Sequence, residues 1–189
     1  MLTIPALRVD DRRHSHVLQQ PLGASRSGIM LHYDDSSSDP SALQWFADPR
    51  CTNGYTWLVL DDGRVIELAD PAMRTPHAGP CLTPMANSRY YGIAAATNGL
   101  EPATSRQLAS IVELCTALCQ FHGWNAATTG QLRARIVGHD EQAVWTAACT
   151  SQQQLWGTTG RKVDPTGQRT DGQKVIDLAN VVRQVELLL

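Results

Sequence analysis

The chain predicts an α/β or α+β domain built on a central sheet, and three observations carry that expectation. Short β-rich runs recur along its first half, in RSGIMLHY, YTWLVL, RVIEL and YYGIAAA. Two amphipathic stretches with helical periodicity follow, one from Thr104 and one from about Gln173. With 189 residues and 42% apolar side chains, the chain suits one domain with a complete core.

Residues 1 to about 27 read as irregular. RSGIMLHY is then a short buried strand ending at His32, and DDSSSDP (Asp34 to Pro40) is a polar loop. SALQWF fits a short helix capped by Ser41. YTWLVL and RVIEL flank Asp61-Asp62-Gly63, and Asp-Gly between two β-rich runs marks a hairpin. PAMRTPHAGPCLTPMANS is a loop rich in proline and glycine, and Tyr90 to Ala96 is another buried strand. Thr104 and Gln107 fit a capping box, with Leu108, Ile111, Val112, Cys115, Leu118 and Cys119 on one helical stripe that ends near His122-Gly123. Arg135-Ile136-Val137 reads as a short strand leading into Gly138-His139. From Asp140 to Lys162 the chain is polar and broken by glycine. The closing helix presents Val175, Leu178, Val182, Val185 and Leu189 on one face.

Charge and composition narrow the function classes. Eighteen acidic against 16 basic residues give a net charge of −2, so no basic field supports nucleic-acid binding as the main task. No run approaches the ~20 apolar residues of a membrane span. The N-terminus lacks a charged segment followed by an apolar run, so synthesis in the cytoplasm without general secretory export is expected. Of the five cysteines, Cys115 and Cys119 read as small core residues, while Cys51, Cys81 and Cys149 lie in loop-like segments and are expected to be reduced. Only Lys162 and Lys174 are lysines, which makes a lysine inside a motif informative.

Six histidines are present. His14 and His16 lie in a charged N-terminal segment and read as solvated. His122 closes a helix, where an imidazolium favours the C-terminal dipole. His32 and His139 differ, because each ends a short apolar run and precedes a polar loop, which places both at the rim of a sheet. A catalytic zinc takes three protein ligands and keeps one position open. Two such histidines and a carboxylate meet that need, and Asp164 in GRKVDP, held extended by the following proline, is the candidate.

These segments, in this order, resemble the zinc-dependent N-acetylmuramoyl-L-alanine amidases of the type-2 amidase and peptidoglycan-recognition-protein superfamily. GIMLHYD resembles the strand delivering the first zinc histidine, and NGYTWLVLDDGRVIEL resembles the tyrosine-bearing hairpin. RTPHAG resembles the family's His-Ala-Gly segment, and YYGIAAATNG the strand read as "GIE" or "GV". IVGHDE and GRKVDPTG resemble the segments supplying the last two ligands. The resemblance covers roughly residues 26 to 189 and implies a mixed central sheet flanked by helices. It implies one catalytic domain, with an N-terminal extension over 1–25 and an insertion over 140–160 carrying Trp145 and Trp156 beside the cleft or in the core.

The resemblance further implies Zn2+ on His32, His139 and Asp164, catalysis by Tyr55 and Lys162 as in the phage-lysozyme-like branch, and a substrate-lining role for His77. Ala94 replaces the glutamate of the cytosolic recycling branch, and Asp140 and Glu141 are the alternative third ligands. The implied activity is hydrolysis of the bond between N-acetylmuramic acid and L-alanine in peptidoglycan or muropeptides. Two settings fit it: an endolysin or other antibacterial, cell-wall-degrading enzyme that reaches the periplasm by holin release or secretion, with an immunity protein as partner in the latter case; and a cytosolic muropeptide-recycling amidase. The alternative to an enzyme is a non-catalytic peptidoglycan-binding recognition module. Oligomeric state stays open.

Overall fold

The structure, a computed structural model, describes residues 9–11, 15–79, 81–124, 129–142 and 174–189. Its strands in chain order are β1 (Val9–Asp11), β2 (Gln20–Pro21), β3 (Gly28–Tyr33), β4 (Trp57–Val59), β5 (Val65–Glu67), β6 (Met73–Arg74), β7 (Tyr90–Ala95) and β8 (Ile136–Gly138). Among the described residues, six of them form one mixed sheet in the order β1-β5-β4-β7-β3-β8, and β2 pairs antiparallel with β6. Among the described strands, only the β4–β5 hairpin is antiparallel in the large sheet. Gly63, at φ +84°, closes its turn as Asp-Gly requires.

β3 is buried at every position, as a central strand with both faces covered must be. Its odd-numbered side chains, Ile29, Leu31 and Tyr33, join Tyr91, Ile93 and Ala95 under α3 (Ser105–Phe121) and α6 (Leu178–Leu188). On the opposite face Leu58, Ile66 and Ala94 pack with Ala42 and Phe46 of α1 (Asp39–Phe46). The long helix thus covers one face, and the other is left for a cleft.

α3 carries the expected capping box, with Thr104 accepting from the Gln107 N–H and the Gln107 side chain accepting from the Thr104 N–H. Gln107 is also fully buried and donates its amide to the carbonyls of Val59 and Ala96, both at 3.1 Å, which ties the helix to two strands. Gln107→Leu removes both bonds, leaving the Val59 carbonyl only the Ala96 N–H and taking the Gln107 donor from the Ala96 carbonyl. It is expected to lower stability by about 2 kcal/mol or more, read as a lower urea midpoint at unchanged slope.

The structure departs from the sequence reading in several places. The N-terminal segment is not wholly irregular, because β1 extends the large sheet and β2 pairs with β6. α1 begins earlier than expected, with Ser38 as its cap and Ser41 as the reciprocal partner of the box. Arg135 ends a helix, α4 (Thr129–Arg135), rather than opening a strand. α2 (Ala86–Arg89) interrupts the expected loop, and α5 (His139–Gln142) follows β8 directly. α6 starts at Leu178, so Val175 is buried in the turn before it. Among the described residues, no helix is long and apolar enough to cross a membrane.

Candidate active site

Strand register assembles the site. β3 and β8 run parallel with Met30 opposite Val137 and Leu31 opposite Gly138. The next position on each is a histidine, so His32 and His139 stand side by side with ring centroids 4.7 Å apart. Both are buried, His139 at the start of α5. On the other flank of β3, Ala94 of β7 lies opposite His32. A methyl group, not a carboxylate, therefore stands beside His32 on β7.

Tyr55, just before β4, sets its ring 4.9 Å from that of His32 and donates its hydroxyl to the Tyr33 carbonyl at 3.2 Å. Phe46 of α1 backs it at 6.0 Å. His77 enters from the loop after β6. The backbone N–H groups of His77 and Ala78 both donate to the Asn87 side-chain oxygen, at 3.0 and 2.7 Å, which pins the loop to α2. Its imidazole lies over Gly92 of β7, where a Cβ would stand 2.7 Å from the His77 Cγ. Only glycine leaves room for that ring.

Both nitrogens of His77 are engaged. Nε2 lies 3.1 Å from the Tyr90 carbonyl oxygen, and Nδ1 lies 3.1 Å from Nε2 of His32. Burial first, and then the His32 and His139 imidazoles, hold its pKa well below the ordinary histidine value, so the ring is neutral at pH 7. Since a carbonyl accepts only, Nε2 of His77 carries the hydrogen and Nδ1 accepts one from His32.

A cavity of about 630 Å³ is lined by Tyr55, His77 and His139 together with Asp34, Asp35 and Trp45. Burial pushes the Asp34 carboxyl up to about 6, although it accepts from Ser36 and from the Thr97 N–H. The Thr97 bond ties the segment just after β3 to that just after β7. Trp45, which the sequence reading placed only in a short helix, lines the cavity while 45% exposed. A tryptophan beside a buried Phe46 in that helix was the available signal.

The structure therefore gathers His32, His139, Tyr55 and His77 at one place. Lys162 and Asp164 lie outside the described residues, as do His14, Cys149, Trp145 and Trp156. Of the alternative ligands, Glu141 pairs with Arg133 of α4 and accepts the Gly138 N–H of β8 at 2.9 Å, so its carboxylate is committed to those two elements. His122 caps α3 as expected, but burial, with Arg26 and Arg135, lowers its pKa and disfavours the imidazolium. It instead hydrogen-bonds the Tyr91 hydroxyl and stacks on Trp124.

Two adjacent buried imidazoles are a donor pair suited to zinc. Among the described residues, no group of three His, Cys, Asp or Glu side chains completes a metal site. The pair fits the metal and needs a further donor.

A family model described as N-acetylmuramoyl-L-alanine amidase matches residues 23–167. Among solved structures, that of AmpD is similar with a TM-score of 0.59 at 15% identity, covering 96% of this chain and 94% of that one. The hydrolase AmiA from Staphylococcus aureus gives a TM-score of 0.58 at 14% identity, covering 99% and 86%. The Ph2119 endolysin from a Thermus scotoductus MAT2119 bacteriophage gives 0.55 at 16% identity, covering 94% and 99%. No curated protein sequence matches.

Proposed function

We propose a zinc-assisted lytic role on the premise that this chain belongs to the N-acetylmuramoyl-L-alanine amidase family and is an amidase of peptidoglycan by that membership. The observation that carries the zinc reading is the in-register placement of His32 and His139 at the ends of two adjacent parallel strands, under the cavity and beside Tyr55. His32, His139 and Asp164 would hold the metal. When bound, zinc supplies a water of lowered pKa, ~7, and polarises the amide carbonyl.

The chain's own groups do the rest. Tyr55, fixed through the Tyr33 carbonyl and packed against His32, is placed to orient the attacking water or hand a proton to the leaving L-alanine amine. Lys162, two residues before Asp164, holds the negative charge that develops on the lactyl carbonyl oxygen. His77 borders the same cavity. Ala94 favours a lytic enzyme, endolysin-like or delivered to the wall, over a recycling amidase, because no carboxylate stands beside His32 on β7.

Digestion of purified sacculi tests this reading. New N-terminal amines are expected while the glycan stays intact and chelation stops the reaction. Sugar reducing ends would mean a glycosidase, and binding without cleavage would mean a recognition module. Faster turnover of soluble muropeptides than of sacculi would restore the recycling reading.

Trp45 offers its exposed face to whatever fills the cavity, and a flat indole suits a sugar ring or the stem peptide. Trp45→Ala is expected to raise KM on sacculi by ~10-fold, about 1.4 kcal/mol, with kcat and thermal stability near those of the parent. An unchanged KM would remove Trp45 from the binding surface.

A further inference from the structure

We infer that His77 is a positioning residue for His32, fixing which nitrogen of that imidazole faces the metal, rather than a group that acts on substrate directly. The inference rests on the zinc reading above and deepens it.

Four observations converge. His77 is only 7% exposed although it borders the cavity, so little of it meets what enters. Its seat is built: Gly92 leaves the space, and the Asn87 side chain clamps the backbone on both sides of the ring's attachment. Its Nε2 points at the Tyr90 carbonyl, which also receives the Arg26 guanidinium at 2.5 Å and is therefore a fixed acceptor. Its Nδ1 meets Nε2 of His32 at 3.1 Å. The proton order along this chain has one solution for neutral rings. The Tyr90 oxygen can only accept, so Nε2 of His77 donates and its Nδ1 accepts; Nε2 of His32 must then donate.

With Nε2–H assigned, the lone pair of His32 is on Nδ1, and that is the nitrogen offered to zinc. Metal-bound histidines commonly donate their second N–H to a fixed acceptor, which sets tautomer and ring orientation and raises basicity. That acceptor is usually a carboxylate, carbonyl or water. Here it is a second imidazole anchored in turn to the backbone of β7. Unlike a carboxylate, it adds no negative charge beside a cavity already bordered by Asp34 and Asp35.

Two measurements test this. Two-bond 1H–15N couplings on metal-free parent protein are expected to show both His32 and His77 as Nε2–H tautomers, and an Nδ1–H tautomer of His32 overturns the inference. Zinc affinity by chelator competition is expected to fall ~10- to 100-fold in His77→Phe, which keeps the ring volume without the acceptor. His77→Asn, whose amide oxygen restores an acceptor, should recover part of the loss. Gly92→Ala, which displaces the ring while keeping the imidazole, should weaken zinc as well. If His77→Phe does not fold, the couplings in the parent decide. Parent protein that binds zinc while His77→Phe binds it as tightly and only KM rises overturns this inference alone. Parent protein that binds no zinc overturns the zinc reading and this inference with it.

Discussion

His139→Ala is expected to release zinc and to lower cleavage of sacculi by at least ~10³-fold, beyond the usual 10²–10³ for one electrostatic donor. The magnitude follows from the zinc reading: a metal there would supply the nucleophile, so its loss would remove the reaction's first requirement rather than one contribution to the barrier. His139 is the cleaner choice of the two histidines. It is 6% exposed and stands beside His32, whereas replacing His32 also strips His77 of its donor. Metal analysis after dialysis should find stoichiometric zinc in the parent and little in the variant, with far-ultraviolet circular dichroism unchanged. Asp164→Ala should behave in the same way. If it keeps its zinc, the third ligand lies elsewhere, and Asp140 is next in line, because the Glu141 carboxylate is held by Arg133 and the Gly138 N–H. A metal-free protein that still cleaves would overturn the zinc reading outright.

The strands and the long helix were legible because their signals are local. A continuous apolar run marks β3, Asp-Gly marks the hairpin, and Thr104 with Gln107 marks the start of α3. The edge elements were not. β1 has three residues and β2 two, too short to show a period, and they exist through pairing with β5 and β6. The serine run before α1 offers several caps, and the choice of Ser38 over Ser41 depends on which hydroxyl meets the reciprocal partner. His32 and His139 could be singled out because strand ends converge at a sheet rim. Their adjacency needed the register, which no local pattern carries. The bond from His32 to His77 is less visible still. It joins residues 45 apart and depends on a glycine in a third segment, whose meaning as a seat appears only when β7 lies beneath the ring.

Tyr55→Phe and Lys162→Ala are expected to separate catalysis from metal binding. Each should lower kcat by ~10²-fold or more while zinc content and folding stay at parental values, the scale for losing a proton-transfer or charge-stabilising group. Tyr55→Phe keeps the ring that packs between His32 and Phe46, and removes only the hydroxyl that donates to the Tyr33 carbonyl. A fall in stability of more than about 1 kcal/mol would assign that hydroxyl a structural part, since one such hydrogen bond contributes roughly that much. Lys162 lies outside the described residues, so its test is functional: Lys162→Arg keeps the charge but not the point geometry, and should recover less than half of the lost activity. Residual cleavage is expected in both variants, because the metal's contribution depends on neither side chain. The double variant then discriminates between two arrangements. If Tyr55 serves the proton and Lys162 the developing charge, their effects should add in ΔΔG‡, as independent contributions do. Strong non-additivity would place both on one proton path, with the lysine acting through the tyrosine. Parental activity in Lys162→Ala would remove GRKVDP from the active site and transfer charge stabilisation to the metal.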